Sequence, residues 1–178
     1  MEAKQRQKSI NQNYNIKIEK VVVNIGLKET GEIVEKAYNL LKKLSNSKPV
    51  RTKATRAART FRVRRGLNIG VKTTLRGEKA LYFLRKTLKA TENNLKKSSF
   101  DDYGNISFGL KEHLDIPEEK FDPEIGIFGL NITTTLKRSG YRIRRRKTKT
   151  KKIPKSIKIK KEDAMKFFTD EFRVKIIN

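Results

Sequence analysis

Few residues in this sequence have side chains suited to covalent or acid–base chemistry. The one histidine, His113, sits beside Glu112 and Asp115. An imidazole near carboxylates can act as a general base, but a lone histidine with no matching nucleophile reads more simply as a structural or exposed residue. Glu112, Asp115, Glu118 and Glu119 fall close enough together to hold Mg²⁺ for RNA hydrolysis; the simpler reading is a solvated acidic loop. Cysteine is absent, which excludes disulfide scaffolds, thiolate zinc sites and Cys nucleophiles. A single histidine excludes multi-His metal sites. There is no P-loop pattern, and Gly66-Leu67-Asn68-Ile69-Gly70 lacks the context of a dinucleotide fingerprint and reads as turns. The sequence implies no cofactor and no enzyme.

What remains is the chemistry of binding. The 178 residues carry 44 Lys+Arg against 19 Asp+Glu, a formal charge of +25. Self-repulsion on that scale is most simply relieved by a polyanion. The charge is concentrated. Arg51, Lys53, Arg56, Arg59, Arg62, Arg64 and Arg65 fall in a 15-residue stretch with no acid, interleaved with Thr52, Thr55, Thr60 and Phe61. Cations, hydroxyls and one aromatic suit an RNA backbone with some unstacked bases. A second acid-free stretch, 137–161, holds fourteen basic residues, among them Arg142, Arg144, Arg145, Arg146, Lys147, Lys149, Lys151 and Lys152. Arms of this composition usually order on binding. The rest of the chain is nearly neutral, and 100–124 is acidic, with eight acids and two lysines.

These groups need a scaffold, and the apolar pattern supplies one. Residues 16–25 centre on Val21-Val22-Val23 and read as a buried strand that Gly26 ends. Ile33, Val34, Ala37, Leu40, Leu41 and Leu44 mark one face of a helix over 31–45. Pro49 to Lys53 reads as a short strand. Residues 69–76 alternate, with Ile69, Val71, Thr73 and Leu75 on one side and Lys72, Thr74 and Arg76 on the other. A second helix is expected over 78–96, with Leu81, Leu84, Leu88 and Leu95 aligned. Strands are expected over 104–110 and 126–136, a loop over 113–124, and a terminal helix over 160–172 with Ala164, Met165, Phe168 and Phe172 inward. Tyr103 and Phe108 read as core.

The order predicts a two-layer α+β fold: a mostly antiparallel sheet with helices packed on one face, a long basic loop (52–66) and a basic arm (139–160). Residues 15–178 are expected to form one RNA-binding domain after a flexible extension, 1–14. The face of the sheet away from the helices is left free to bind, with Lys72, Thr74 and Arg76 on it. Hydrophobic content is 35%, below the roughly 45–50% usual for globular domains. The N-terminus has no apolar signal region. The longest uncharged central run, Ile125 to Leu136, is 12 residues, against about 20 for a membrane span. An intracellular, membrane-free protein is expected.

Five blocks in order, KVVVNIG (20–26), KPVRTKA (48–54), TFRVRRGLNIGVKTTLRG (60–77), SSFDDYGNISFGLKEH (98–113) and FDPEIGIFGLNITTTLKRSG (121–140), resemble the universal large-subunit ribosomal protein L-five family, which binds 5S rRNA and whose eukaryotic member is called L-eleven. The likeness runs from about residue 15 to the end. The arm YRIRRRKTKTKKIPK followed by KKEDAMKFF is similar to the archaeal branch.

The resemblance implies a cytoplasmic, ribosomal protein that attaches 5S rRNA to the central protuberance through a sheet face. Of the family's 5S contacts, Asn24 and Thr74 match; Ser47, before Lys48, stands where a Gln is usual. It further implies contact of loop 52–66 with tRNA in the peptidyl site, of the arm with large-subunit rRNA, and of the chain with neighbouring 5S-associated ribosomal proteins. An intersubunit bridge to a basic small-subunit protein is also implied, and Glu112, Asp115, Glu118 and Glu119 are the acids suited to it. The competing readings are a charge-driven, non-specific nucleic-acid binder and a Mg²⁺-dependent RNA-processing enzyme.

Overall fold

A computed structural model describes residues 14–27, 29–61, 63–117, 119 and 121–177. The expected extension 1–14 lies outside these residues except for Tyr14. Five strands form one antiparallel sheet: β1 (Lys17–Gly26), β2 (Val50–Lys53), β3 (Asn68–Leu75), β5 (Ile106–Leu110) and β6 (Leu130–Lys137). Their order is β2-β3-β1-β6-β5. The valine-rich β1 lies between β3 and β6, where β-branched side chains pack on a pleated surface from both sides. Every second residue of β1 is buried: Val21, Val23 and Ile25. They share a core with Val71, Leu75, Ile132, Leu136, Ile106 and Leu110 of the neighbouring strands.

Helices cover that side. Helix α1 (Glu32–Ser45) buries Val34, Ala37, Leu40 and Leu41, and α2 (Glu78–Ala90) buries Ala80, Phe83, Leu84 and Leu88. Each of the larger of these side chains is worth roughly 1.5–3 kcal/mol relative to exposure. Helix α1 has Glu32 and Glu35 in its first turn and Lys42 and Lys43 in its last, matching the helix dipole. It stops where Asn46 turns left-handed, φ 43°. Helix α3 (Lys161–Phe172) opens with the Lys160 N–H donating to the Asp163 carboxylate. Its Phe168 meets Phe100 edge-on at 6.2 Å and stacks with Phe172 at 5.2 Å. The two-layer α+β fold is as the pattern predicts.

Several boundaries differ, each for a physical reason. The second helix ends at Ala90 rather than Lys96, because Glu92 and Asn93 both take left-handed backbone, φ 54° and 56°. Leu95 is still buried, but from strand β4 (Asn94–Lys96), which pairs in parallel with β7 (Lys175–Ile177). An aligned leucine therefore belongs to another element, and β7 is too short to announce itself. Leu81 is exposed; Ala80 and Phe83 take the inward positions. The strand read from 126 begins at Leu130. Phe128 is drawn off the ladder by His113, whose backbone N–H donates to the Phe128 carbonyl (2.9 Å) and whose Nδ1 accepts from the Phe128 N–H (3.3 Å). The strand read from 104 begins at Ile106. Tyr103 is 70% exposed, against the core role expected of it, while Phe108 is buried.

Candidate nucleic-acid interface

Among the described residues no α-helix covers the sheet face away from the helices, and the strand register defines its rows. Opposed residues in an antiparallel pair point the same way. One row runs Val50, Lys72, Asn24, Asn131, Gly109; the next runs Thr74, Val22, Thr133, Ser107. Lys72, Thr74, Asn131 and Ser107 are exposed, and Asn24 and Thr133 half-buried. The face thus combines amide and hydroxyl groups with one lysine, and these rows contain no acid. Ser107 and Thr133 hydroxyls lie 3.2 Å apart. Asn131, Thr133 and Ser107 escaped the sequence reading; Asn131 and Thr133 alternate with buried Leu130, Ile132 and Thr134 along β6, and Ser107 with buried Ile106 and Phe108 along β5. Ser47 and Lys48 stand in the turn before β2, half-buried and exposed respectively.

At the end of this sheet one acid is inside. Glu19, at the register shift between Ile18 and Lys20 of β1, is buried, its side chain 4% exposed, and forms ion pairs with Arg76 at 3.7 Å and with Arg145 of the arm. Arg76 and Arg145, both singled out as RNA contacts, are thereby tied to the protein. Arg51 is turned the same way. It lies opposite Val71 on the helix side, forks onto Glu35 (Nε 2.8 Å, Nη2 2.6 Å) and stacks over Tyr38 at 4.4 Å. The Arg51 guanidinium holds the Glu35 carboxyl below its ordinary range.

The basic loop is a closed hairpin. Ala54 N–H donates to Leu67 O (2.8 Å), Gly66 N–H to Ala54 O (2.9 Å), and Ala58 and Val63 exchange backbone bonds. Lys53, Arg56, Arg59, Arg64 and Arg65 are exposed; among the described residues none of them forms an ion pair. Arg62 lies outside the described residues.

The arm, expected to lack order by itself, is tied at its base. Arg138 donates to Ile157 O and Lys158 O at 3.4 Å and to Asp163 at 3.0 Å. The Tyr141 hydroxyl accepts from Ile159 N–H at 3.0 Å, and Ile159 is buried in the core. Arg142, Arg144, Lys147, Lys149, Lys151 and Lys152 remain exposed, and Arg146 donates to Lys149 O at 2.7 Å.

The acids 112–119 lie in the connection from β5 to β6. Glu112 and Asp115 are exposed and Glu119 half-buried; Glu118 lies outside the described residues. His113 is 2% exposed and bound to Phe128, a structural clasp. Among the described residues no group of three His, Cys, Asp or Glu is placed to hold a metal ion, and no helix is long and apolar enough to cross a membrane.

Two family models match this chain. One, described as Ribosomal protein L5, matches residues 11–64, and the other, the C-terminal model of the same ribosomal family, matches residues 68–171. The large ribosomal subunit protein uL5 of Sulfurisphaera tokodaii is 50% identical over 170 residues, covering 95% of this chain and 96% of that protein. Its counterpart in Sulfolobus acidocaldarius is 47% identical, covering 97% of each. That of Nanoarchaeum equitans is 47% identical, covering 91% of this chain and 96% of its own length.

Proposed function

The chain belongs to the ribosomal protein L5 family, and on that premise we propose that it is a structural constituent of the large ribosomal subunit which holds 5S rRNA against the uncovered face of its sheet. The observation that carries this is the acid-free pair of rows formed by Lys72, Asn24 and Asn131 and by Thr74, Thr133 and Ser107. Short amide and hydroxyl groups on a rigid sheet suit the 2′-hydroxyls, base edges and phosphates of folded RNA. Ser47 and Lys48 border this surface, with Ser47 reaching less far than the Gln usual there. The role is structural, not catalytic, and its place is the cytoplasmic ribosome.

The remaining contacts follow from where the charges stand. Residues 15–178 serve as one RNA-binding domain, because central strand β1 comes from the first matched segment and its neighbours β3 and β6 from the second. The protein attaches 5S rRNA, beside other 5S-associated proteins, to the central protuberance. The hairpin 52–66 offers Lys53, Arg56, Arg59, Arg62, Arg64 and Arg65 to peptidyl-site tRNA. The arm, 139–160, offers its exposed cations to large-subunit rRNA. Glu112, Asp115, Glu118 and Glu119, in the same connection as exposed Phe121 and Ile127, are the acids for a basic small-subunit protein across an intersubunit bridge. Charge reversal at Glu112 and Glu119 should weaken subunit association at low salt; unchanged association refutes that contact.

The decisive experiment is competition between 5S rRNA and unrelated RNA over a salt series. A site-specific platform keeps its preference at salt where non-specific binding has faded. Equal affinity for both RNAs would leave only charge-driven binding, and Mg²⁺-dependent cleavage of the RNA would return the enzyme reading.

A further inference from the structure

Tyr103 has an exposed ring on a firmly tied backbone. The residue is 70% exposed. Beneath it, Asp101 Oδ1 accepts from the Tyr103 N–H (2.9 Å) and the Asn105 N–H (2.6 Å), and Asp101 Oδ2 accepts from Asn105 Nδ2 (2.6 Å). Gly104 sits at φ +75° against buried Ile159, so close that a Cβ there would meet Ile159 Cγ2 at 2.5 Å. The turn is thus anchored both to itself and to the base of the arm. The ring is left open to a partner, and what surrounds it decides whether it belongs to a contact surface.

The arm completes that surface. Lys158 stands over the Tyr103 ring at 6.0 Å. Arg144, Lys151 and Lys152 join Tyr103, Asn105 and Lys158 around a basin of about 630 Å³. Among the described residues no acid lines it; of the two acids before Tyr103, Asp101 has both carboxylate oxygens engaged and Asp102 is exposed outside the lining. We propose that this basin binds an unstacked RNA nucleotide, its base on the Tyr103 ring and its flanking phosphates on Arg144, Lys151, Lys152 and Lys158. A planar aromatic face beside converging cations is what single-stranded nucleic acid requires: the ring takes the base, the cations take the backbone. At 6.0 Å the Lys158 ammonium is at the outer limit of a cation–π contact, so a base can take the ring while Lys158 turns to a phosphate. Fixing the backbone that carries the ring leaves less entropy to lose on binding. The site rests on the reading of the chain as an RNA-binding protein, but it uses none of the residues of the uncovered sheet face.

The test titrates the full-length protein with a single-stranded RNA decamer carrying 2-aminopurine, whose fluorescence is quenched by stacking. The wild type should quench it. Tyr103→Ala should abolish the quench and weaken binding about tenfold, as for loss of one base–aromatic stack. Tyr103→Phe should preserve both, and Lys151→Ala with Lys152→Ala should weaken binding while leaving the quench at saturation. Absence of quenching in the wild type, or equal quenching by Tyr103→Ala, overturns the site. Parallel titration of the wild type with 5S rRNA separates the two ideas: loss of 5S preference there sinks the proposed function, whatever the decamer does.

Discussion

Thr74 and Arg51 both belong to stretches rich in side chains suited to RNA, yet the sheet sends them opposite ways. Thr74 points from the uncovered face, opposite Val22. Thr74→Ala should lower the preference for 5S rRNA over unrelated RNA roughly fivefold, the worth of about one hydrogen bond. Its urea midpoint should hardly move, because the side chain is exposed; a large stability loss with intact preference would contradict the assignment. Arg51 is instead a structural residue through Glu35 and Tyr38. The folded Glu35 carboxyl titrates below its ordinary 4.5 because Arg51 hydrogen-bonds its charged form. Its contribution to stability is therefore complete above that value and lost as pH falls through the lowered pKa. Both side chains are well exposed, so the effect is modest. Thermal unfolding from pH 7 to pH 3 should show a shallower acid-side fall for Arg51→Ala than for the wild type. Type and spacing marked Arg51 as basic; only its register opposite Val71 turned it away from RNA.

At the scale of elements, the arm and the sheet meet at Glu19. A buried carboxylate on β1 is tolerable only if paired, since an isolated buried charge is costly. Arg76 and Arg145 each supply a partner. Removing either leaves the other, whereas removing both strands the charge. The Arg76→Ala, Arg145→Ala cycle should therefore be non-additive, the double variant costing about 3–5 kcal/mol and each single much less. Chemical denaturation of the four proteins measures this, and simple additivity would mean that Glu19 is not shared. The helices and long strands were legible because their apolar repeats are local: Val21, Val23 and Ile25 recur every two residues, and Leu40 and Leu41 fall on the same helical face as Val34 and Ala37. The end of α2 was not legible, because Leu95 continues the leucine spacing while the left-handed pair Glu92 and Asn93 has already broken the helix. Strand β7 has three residues and depends on β4 for its pairing.

For the whole molecule, the charge of +25 divides into cations that are held internally and cations left free. Arg51, Arg76, Arg138 and Arg145 are held by Glu35, Glu19 and Asp163; the hairpin's described arginines beyond Arg51 and the arm's lysines face outward. Affinity for RNA should accordingly fall steeply with salt. Lys151→Ala with Lys152→Ala should reduce the slope of log K against log salt by about 2, one for each phosphate that is no longer neutralised. An unchanged slope would place those lysines off the RNA.

Composition, charge blocks and apolar period are properties of short stretches, so the sequence alone determined that this chain builds a two-layer α+β fold, carries no thiol or multi-His chemistry, and turns Lys72 and Thr74 to the side of their strand opposite Val71 and Leu75. The tertiary structure alone decided which basic residues remain available. Glu19 and Arg145 are 126 positions apart, and Tyr103 and Lys158 come together where Gly104 packs on Ile159. Contacts between such distant residues follow from strand order and core packing, which no local pattern encodes.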